Sequence, residues 1–355
     1  MTAPIDAATD VRKGEGLDTD ALEAYLATAL PELEGPLVVE QFPSGYSNLT
    51  YLLKKGEHEL VLRRPPFGAQ VKSGHDMQRE FTVLSGLDGA YAHAPKPLAL
   101  CTDHDVLGCD FYVMERRRGL IVRNALPAPL QGDPALFGRM CGAVIDGLAD
   151  LHGVDLKATG LDSLDRGPGY VQRQVEGWLR RLDKAKTSDL PDFDAVAVWL
   201  RANMPEEAAH TLVHNDYKFD NVMLDPDEPT RIVAVLDWEM CTVGDPLMDL
   251  GTTLGYWTEP GDDPAWRAMG LTPTAAPGGL TRAEVAARYG ERTGRDVSGA
   301  LFHYVFGLLK IGGIVQQIYF RFAKGFTQDP RFAQLDKVVA GLGRMATGAI
   351  GRGAL

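Results

Sequence analysis

The segment His214–Asn221 constrains this chain more than any other part of its sequence. It reads HNDYKFDN and lies between two short apolar runs, Thr211–Val213 and Val222–Leu224. A third apolar run ends at Asp237, sixteen residues after Asn221. This alternation predicts short strands whose ends present the polar side chains together. A carboxylate five residues before an asparagine, with a second carboxylate after the next strand, is an arrangement that supports phosphoryl transfer.

Each residue type in this pattern suits one role in that chemistry. Asp216 is expected to be the catalytic base for an acceptor hydroxyl, and Asn221 and Asp237 to hold Mg²⁺ against the phosphates of ATP. Lys218, two residues after the base, could offset negative charge on the transferred phosphoryl group. The alternative for either fragment alone is an ordinary turn capped by an aspartate. The combined spacing favours catalysis.

Two histidines near this segment are interpreted as structural. His214 is expected to organise the loop through hydrogen bonds. His210 lies four residues earlier, but the pair flanks a strand and lacks the intervening glutamate of a zinc-binding helix. The sequence therefore predicts no zinc protease site.

The charge balance argues against general binding of nucleic acid. The 355 residues carry 36 Lys and Arg against 48 Asp and Glu, a net charge of -12, and an acidic protein repels polyanionic backbones. The 45% hydrophobic content is enough for a large globular core. A globular protein that does not bind nucleic acid is expected.

The four cysteines indicate a reducing compartment. They are Cys101, Cys109, Cys141 and Cys241. None is part of a CxxC pair, and this spacing fits free thiols better than a zinc site or a disulfide framework. A cytoplasmic location is predicted.

No segment of the sequence is predicted to enter a membrane. Residues 1–16 lack the apolar centre of a signal peptide. The apolar stretch Tyr304–Phe320 is interrupted by Lys310, Gln316 and Gln317. It is interpreted as a buried helix, too short to span a bilayer.

Hydrophobic periodicity divides the chain into two regions. In residues 1–114, helical patterns are predicted over Thr19–Leu30 and Asp76–Leu87, and strands over Leu37–Val39, Leu49–Leu53, Leu60–Leu62 and Phe111–Met114. The remainder is predicted to be mainly helical, beginning with Pro134–Leu151, and is interrupted by strands over Thr211–Val213, Val222–Leu224 and Arg231–Leu236.

Several separated motifs together resemble the aminoglycoside phosphotransferase and choline kinase-like family. The branch most similar is related to the kinase domains that accompany some acyl-CoA dehydrogenases. The motifs are LVLRRPP at Leu60–Pro66, FYVMERRRG at Phe111–Gly119, LADLHGVD at Leu148–Asp155, LVHNDYKFDN at Leu212–Asn221 and LDWEMCTVGDPLMDL at Leu236–Leu250.

The resemblance implies a bilobal α+β fold like that of protein kinases, with ATP between the lobes. A small lobe with an antiparallel sheet (residues 1–114) would join a helical lobe (119–355) through a hinge (115–118). The Glu115 carbonyl and the Arg117 amide of the hinge would hold the adenine. Asp249 would brace the catalytic loop through its backbone.

Two departures from the family pattern affect the phosphate site. Arg63 occupies the position of the phosphate-binding lysine, which keeps the charge but changes its shape. Glu80, on the following helix, is placed to pair with Arg63, although a solvent-facing position is an alternative. The loop Pro43–Asn48 has one glycine where protein kinases have three. Ser44 is a candidate phosphate ligand there, and a plain hairpin turn is the alternative.

A third departure concerns the acceptor. Only eleven residues separate Asp237 from Asp249, which leaves no room for a long segment that docks a peptide. A small-molecule acceptor is therefore favoured over a protein. A nucleotide-binding pseudokinase is the remaining alternative, and the presence of base and metal ligands argues against it.

The charge distribution suggests an anionic acceptor. Arginines cluster in and just past the hinge at Arg116, Arg117, Arg118 and Arg123. A second group on a predicted helix contains Arg173, Arg180, Arg181, Lys184 and Lys186. Arg173 and Arg180 are seven residues apart, on one helix face, and are candidate acceptor ligands. A hydroxyacyl-CoA is predicted over a cationic aminoglycoside, which like charges would repel. The alternative for the arginines is a solvated face.

Overall fold

The computed structural model describes residues 7–43, 48–68, 76–187 and 193–355. Its first half is built on a five-stranded antiparallel sheet with strand order β1-β2-β3-β5-β4. The strands are β1 (Leu37–Gln41), β2 (Leu49–Lys55), β3 (His58–Arg64), β4 (Pro97–Cys101) and β5 (Phe111–Glu115). The helices of this half are α1 (Thr19–Ala29), α2 (Met77–Leu87) and α3 (His104–Leu107).

Helix α2 covers one face of this sheet because its apolar residues recur at helical spacing. Met77, Val83, Leu84 and Leu87 are buried. The Asp76 side chain accepts a hydrogen bond from the Arg79 amide, which fixes where the helix begins. The charged Glu80 is buried on the same helix.

The second half is mainly helical and carries two small sheets. Its helices are α4 (Pro134–Leu151), α5 (Leu156–Thr159), α6 (Tyr170–Lys184), α7 (Asp194–Ala202), α8 (Pro246–Tyr256), α9 (Pro264–Ala268), α10 (Arg282–Thr293), α11 (Ala300–Ala323) and α12 (Leu335–Arg352). Its strands are β6 (Leu120–Ile121), β7 (Thr211–Val213), β8 (Val222–Leu224), β9 (Ile232–Val235) and β10 (Thr242–Gly244).

The two small sheets position the loop 214–221. Strand β7, which leads into the loop, pairs with β10, whereas β8, which leaves it, pairs with β6 and β9. The Leu236 amide also donates to the Asn221 carbonyl at 2.8 Å. This bond places the residue before Asp237 against the end of the loop.

Helices α8 and α11 cross closely at two glycines. A side-chain carbon at Gly251 would overlap the His303 carbonyl, and one at Gly307 would overlap the Gly251 carbonyl. The absence of side chains therefore lets the two backbones approach. This contact brings polar residues of α11 within reach of those on α8.

Helix α11 is longer than the apolar stretch predicted from the sequence. Ala300–Ala323 has 24 residues, and its length and composition alone would allow it to cross a membrane. Most of its apolar window is buried inside the fold, where it packs against α6, α8 and α12. The predicted burial is confirmed, but the prediction that the helix is too short to span a bilayer was wrong.

The α+β architecture predicted from the sequence is confirmed, and its sheets contain more strands than the sequence indicated. Strands β4, β6 and β10 were not predicted. Strands β6 and β10 have two and three residues, too few for an alternating pattern to stand out. Their pairing partners are distant in sequence, so the tertiary structure decides whether they form.

Candidate active site

The side chain of Asp216 is held by two donors from its own loop. Lys218 donates from Nζ to Oδ2 at 2.7 Å, and Asn221 donates from Nδ2 to the same oxygen at 2.9 Å. Asn221 also donates to the Asp216 carbonyl at 2.9 Å. Three residues that the sequence predicted to act together therefore lie in direct contact.

Two residues of this site adopt left-handed backbone conformations. Asn215 and Asp237 both have φ of 67°, and they are the only residues besides glycine with positive φ in the described ranges. Such a conformation costs roughly 1–2 kcal/mol for a residue with a side chain. Strain of this kind persists where surrounding contacts enforce it, often at functional sites.

Asp249 on α8 enforces the conformation of the loop. Its carboxylate accepts from the His214 amide at 2.6 Å and from the Asn215 amide at 2.8 Å. His152 adds a bond from Nε2 at 3.1 Å. Burial alone would raise the pKa of Asp249, but the His152 bond and nearby positive charge lower it. The predicted bracing of the backbone by Asp249 is confirmed.

His214 is neutral and has a defined tautomer. Burial lowers the pKa of its ring. Nδ1 accepts from the Asp216 amide at 3.2 Å, so Nε2 carries the proton and donates to the Leu236 carbonyl at 2.9 Å. The ring links the loop to Leu236, which lies between β9 and Asp237. This matches its interpretation as an organiser.

Arg63 at the end of β3 connects the sheet to Asp237. Its Nη2 atom lies 3.2 Å from Oε1 of Glu80 and 3.1 Å from Oδ1 of Asp237. Burial would lower the pKa of Arg63, but Glu80, Tyr112 and Asp237 raise it above its ordinary value, so the guanidinium stays charged. Glu80 is buried and pairs with Arg63, so the solvent-facing alternative is excluded.

We expect Arg63→Ala to raise the KM for ATP by roughly tenfold or more, since a charge-assisted hydrogen bond contributes about 1.5–3 kcal/mol. The KM for the acceptor should change less, and Arg63→Lys should keep part of the activity. Initial rates at varied ATP would test this, with Lys54→Ala on the same sheet as the control. ATP kinetics like those of the wild type in Arg63→Ala would contradict a phosphate contact.

Asn48, just before β2, contacts a residue close to Asp237 in the sequence. Asn48 donates from Nδ2 to Glu239 at 2.8 Å, two residues beyond Asp237. The candidate phosphate ligand Ser44 lies outside the described residues. The predicted role of Ser44 remains a prediction.

Two residues of the predicted hinge, Glu115 and Arg117, are joined through their side chains. Oε1 of Glu115 accepts from the Lys96 amide at 2.7 Å and from Nε of Arg117 at 2.6 Å. The Glu115 amide donates to the Lys96 carbonyl at 2.9 Å. These bonds do not involve the Glu115 carbonyl or the Arg117 amide, whose role in holding the adenine remains a prediction.

Tyr256 belongs to the site but was not found from the sequence. Its ring lies 4.7 Å from Nζ of Lys218, and its phenol lies beside Asp216. Burial raises the pKa of Tyr256, and the Asp216 carboxylate raises it further. Tyr256 follows Asp249 by seven residues on α8, which is two helical turns and so the same face. That spacing was the available signal.

The candidate acceptor ligands make contacts of their own. Arg173 donates to the carbonyls of Gly167 and Pro168 just before α6. Arg180 lines a cavity of about 400 Å³ together with Glu176 and other residues of α6 and α7. Their predicted role in binding the acceptor remains a prediction.

The arginines in and just past the predicted hinge all have carboxylate neighbours. Arg116 and Arg118 lie 3.9 and 2.8 Å from Glu59, Arg117 lies 2.6 Å from Glu115, and Arg123 lies 3.6 Å from Asp220. Part of the positive charge that the sequence suggested for an anionic ligand is thus compensated within the protein. The cluster is weaker support for an anionic acceptor than its sequence implied.

A larger cavity is lined by residues outside the loop 214–221. It has a volume of about 650 Å³, and its lining includes Asn124, Thr258 and Arg267 with several alanine, leucine and proline side chains. Asn124 follows the arginine paired with Asp220, and Thr258 lies two residues after Tyr256. The chain therefore connects this cavity to the loop at two points.

The residues available for a metal ion are few. No group of three or more His, Cys, Asp or Glu side chains in the described ranges is arranged to hold a metal. Mg²⁺ in a nucleotide site needs only one or two protein oxygens, because phosphates and water complete its six ligands. The carboxylate of Asp237 and the amide oxygen of Asn221 are hard ligands of the right kind.

Comparison with known proteins identifies the family of this fold and site. The family model described as "Phosphotransferase enzyme family" (APH) matches residues 38–293, well over half of the chain. The chain belongs to the APH phosphotransferase family. The match includes all but the first residue of the five-stranded sheet, residues 115–118 and the whole loop 214–221. The predicted membership of a phosphotransferase family is thereby confirmed.

The curated relatives are much longer proteins. Acyl-CoA dehydrogenase family member 11 of Gallus gallus is 40% identical over 257 residues, which are 70% of this chain and 32% of that protein. Acyl-CoA dehydrogenase family member 10 of Mus musculus is 32% identical over 95% of this chain and 31% of its own length. The chain thus spans about a third of these relatives.

Solved structures show the same fold. A Ralstonia eutropha JMP134 protein provisionally assigned as an aminoglycoside phosphotransferase is 32% identical, with a TM-score of 0.81 over 95% of this chain and 99% of that one. A mutant of the aminoglycoside phosphotransferase APH(4)-Ia, solved with AMP-PNP and hygromycin B, has a TM-score of 0.52 at 16% identity, covering 91% and 98%. The latter likeness shows the fold alone.

Proposed function

We propose that this chain uses Mg²⁺ and ATP to phosphorylate a hydroxyl group of a small anionic metabolite, with Asp216 as the base. The observation that carries the proposal is the contact of Asp216 with both Lys218 and Asn221. A carboxylate held by two donors has a fixed direction, which a base needs to meet an acceptor hydroxyl.

The reaction needs one proton transfer and one displacement. Asp216 accepts the proton of the acceptor hydroxyl, and the oxygen of that hydroxyl forms a bond to the γ-phosphorus. The bond between the γ-phosphorus and the β,γ-bridging oxygen breaks, which releases ADP. Lys218 lies beside the base and offsets charge on the transferred group. Arg63 faces the phosphates from the sheet. Mg²⁺, held by Asn221 and Asp237, would neutralise charge on the β- and γ-phosphates.

The rest of the proposal follows the two-lobe division. Residues 1–114 would form the nucleotide lobe and 119–355 the catalytic lobe, with adenine held by backbone atoms of Glu115 and Arg117. The neighbour solved with AMP-PNP supports the use of a nucleoside triphosphate. A cytoplasmic location is supported by the cysteines, which are free thiols.

We propose a hydroxyacyl-CoA as the acceptor. The relatives are named as members of the acyl-CoA dehydrogenase family, so the longer proteins combine a region like this chain with one named for acyl-CoA chemistry. We assign the acceptor to the 650 Å³ cavity, where Asp133 is the one carboxylate among the described lining residues and Arg267 provides a cation. A polycationic antibiotic would need several carboxylates there.

Phosphorylation of an aminoglycoside is the second candidate, since the solved neighbours include proteins that bind hygromycin B. A pseudokinase would bind nucleotide without transferring phosphate. Purified protein would be incubated with Mg²⁺, ATP and one acceptor at a time: hydroxyacyl-CoAs of several chain lengths, kanamycin, choline or homoserine. Each mixture would then be searched by mass spectrometry for the addition of one phosphate.

A phosphorylated hydroxyacyl-CoA, formed in wild type but not in Asp216→Asn, is the expected result. The corresponding acyl-CoA without a hydroxyl is the matched control and should remain unchanged. Efficient phosphorylation of kanamycin with no CoA product would overturn the acceptor class. Nucleotide binding without any product would favour the pseudokinase.

A further inference from the structure

Lys310 is a buried lysine that the proposed chemistry does not use. It lies in the middle of α11 with 1% of its surface exposed. Its Nζ atom donates to the Asn215 carbonyl at 2.5 Å and lies 3.4 Å from both Oδ1 of Asn215 and Oγ1 of Thr252. Burial of an ammonium group destabilises the fold unless the group is well paired. The place of Lys310 in the middle of a buried helix therefore suggests a specific role.

The partner of Lys310 is the strained residue that precedes the base. The Asn215 amide donates to the Asp249 carboxylate, while the Asn215 carbonyl accepts from the Lys310 ammonium. Its side chain is also held, because Oδ1 accepts from Tyr170 at 3.0 Å and Nδ2 donates to the Met240 carbonyl at 3.2 Å. A carboxylate thus holds the amide, and an ammonium the carbonyl, of Asn215, whose backbone is left-handed.

We propose that Lys310 is a positioning residue for catalysis, which holds the Asn215 carbonyl and thereby fixes the direction in which Asp216 faces the acceptor. The Asn215 carbonyl belongs to the peptide unit that joins Asn215 to Asp216. Rotation of that unit would turn the backbone of the base. A fixed ammonium opposes this rotation more strongly than a neutral donor, because charge-assisted hydrogen bonds are about twice as strong.

The charge state of Lys310 adds a pH dependence. Burial lowers the pKa of Lys310 to about 8, although the carboxylates of Asp249 on α8 and Asp216 on the loop raise it, and Lys218 and Arg181 lower it further. The ammonium that grips Asn215 is therefore lost as pH rises through about 8. In the unfolded chain the lysine keeps its proton to about pH 10.4. Between about pH 8 and 10.4 the unfolded chain keeps a proton on Lys310 that the folded chain has lost. The contribution of Lys310 to the free energy of unfolding therefore rises with pH in this range. Activity should fall over the same range, because the ammonium no longer holds the Asn215 carbonyl.

The first test measures the loop without any acceptor. Lys310→Met removes the charge at similar length, and the control Gln316→Leu removes a buried polar group on the same helix. Gln316 bonds to the Ala185 carbonyl and Thr187, away from the loop. Hydrogen–deuterium exchange of the full chain would be followed for peptides covering 212–221. Exchange there should be faster in Lys310→Met and unchanged in Gln316→Leu.

The second test measures turnover and rests on the proposed acceptor. With a hydroxyacyl-CoA and ATP at pH 7, kcat of Lys310→Met should fall by about ten- to hundredfold, as expected for losing a hydrogen bond from a charged group. The KM for ATP should stay within about twofold, because Lys310 does not face the nucleotide residues. Wild-type kcat should decline through about pH 8, and Lys310→Met should lack this decline.

The two tests separate the inference from the acceptor assignment. If no hydroxyacyl-CoA is phosphorylated, the acceptor proposal fails, but the exchange measurement still decides the role of Lys310. Should Lys310→Met not fold, Lys310→Gln would replace it. The exchange of residues 212–221 in the wild type would also be compared between pH 7 and 9. After correction for intrinsic exchange rates, the loop should open faster at the higher pH. Unchanged loop exchange in the folded variant, or across this pH range, would overturn the inference.

Discussion

Asp216→Asn should lower kcat by about 10²–10⁴-fold, the usual contribution of a general base. The amide has nearly the shape of the carboxylate, so it can still accept from Lys218 and Asn221. What it loses is the ability to take a proton at neutral pH. Affinity for Mg-ATP should remain close to that of the wild type, because the change leaves the nucleotide residues in place.

Single-turnover rates and nucleotide titrations would measure these two quantities separately. Asp227→Asn is a suitable control, since Asp227 is an exposed carboxylate in the turn after β8. Retained turnover in Asp216→Asn would remove Asp216 as the base. Loss of Mg-ATP affinity together with turnover would instead show that Asp216 helps to bind the nucleotide.

Asp237→Ala should weaken nucleotide binding only when magnesium is present. Removal of a carboxylate ligand from the ion that bridges the phosphates should reduce affinity by about tenfold or more, equivalent to 1.4 kcal/mol. In EDTA the variant and the wild type should bind ATP alike. Calorimetric titrations in the two buffers would give the comparison, and turnover should be lost in parallel.

The contact of Asp237 with Arg63 bears on whether Asp237→Ala keeps its fold. Arg63 also pairs with Glu80 at 3.2 Å, so Asp237→Ala leaves the buried guanidinium with one carboxylate partner. The fold should therefore survive, and thermal denaturation would verify it. An affinity for ATP that depends on magnesium as in the wild type would contradict the assignment of Asp237 as a metal ligand.

The family and the α+β fold could be predicted from the sequence because each motif and each element has its signal within a short segment of the chain. Asp216, Lys218 and Asn221 share one loop of eight residues, and flanking apolar runs predict strands on both sides. Helix α2 likewise follows from its own periodicity and its capping Asp76. Local spacing was sufficient in these cases.

Contacts between distant residues required the tertiary structure. The sequence suggested that Arg63 could pair with Glu80, but only the fold shows that Arg63 also reaches Asp237, 174 residues away. The arginines in and just past the predicted hinge appeared as free positive charge in the sequence. Their carboxylate neighbours compensate much of it, and charge counts along a chain do not reveal such pairs.

The sequence by itself determined the chemical groups of this site, and the tertiary structure decided which groups hold them in place. Lys310 illustrates the difference: in the sequence it only interrupts an apolar stretch, since the residues that would explain a charge there lie on other elements. The close crossing of α8 and α11 at Gly251 and Gly307 brings it to Asn215, 95 residues away. Catalytic residue types follow from local chemistry, whereas the support of a strained loop depends on packing between helices distant along the chain.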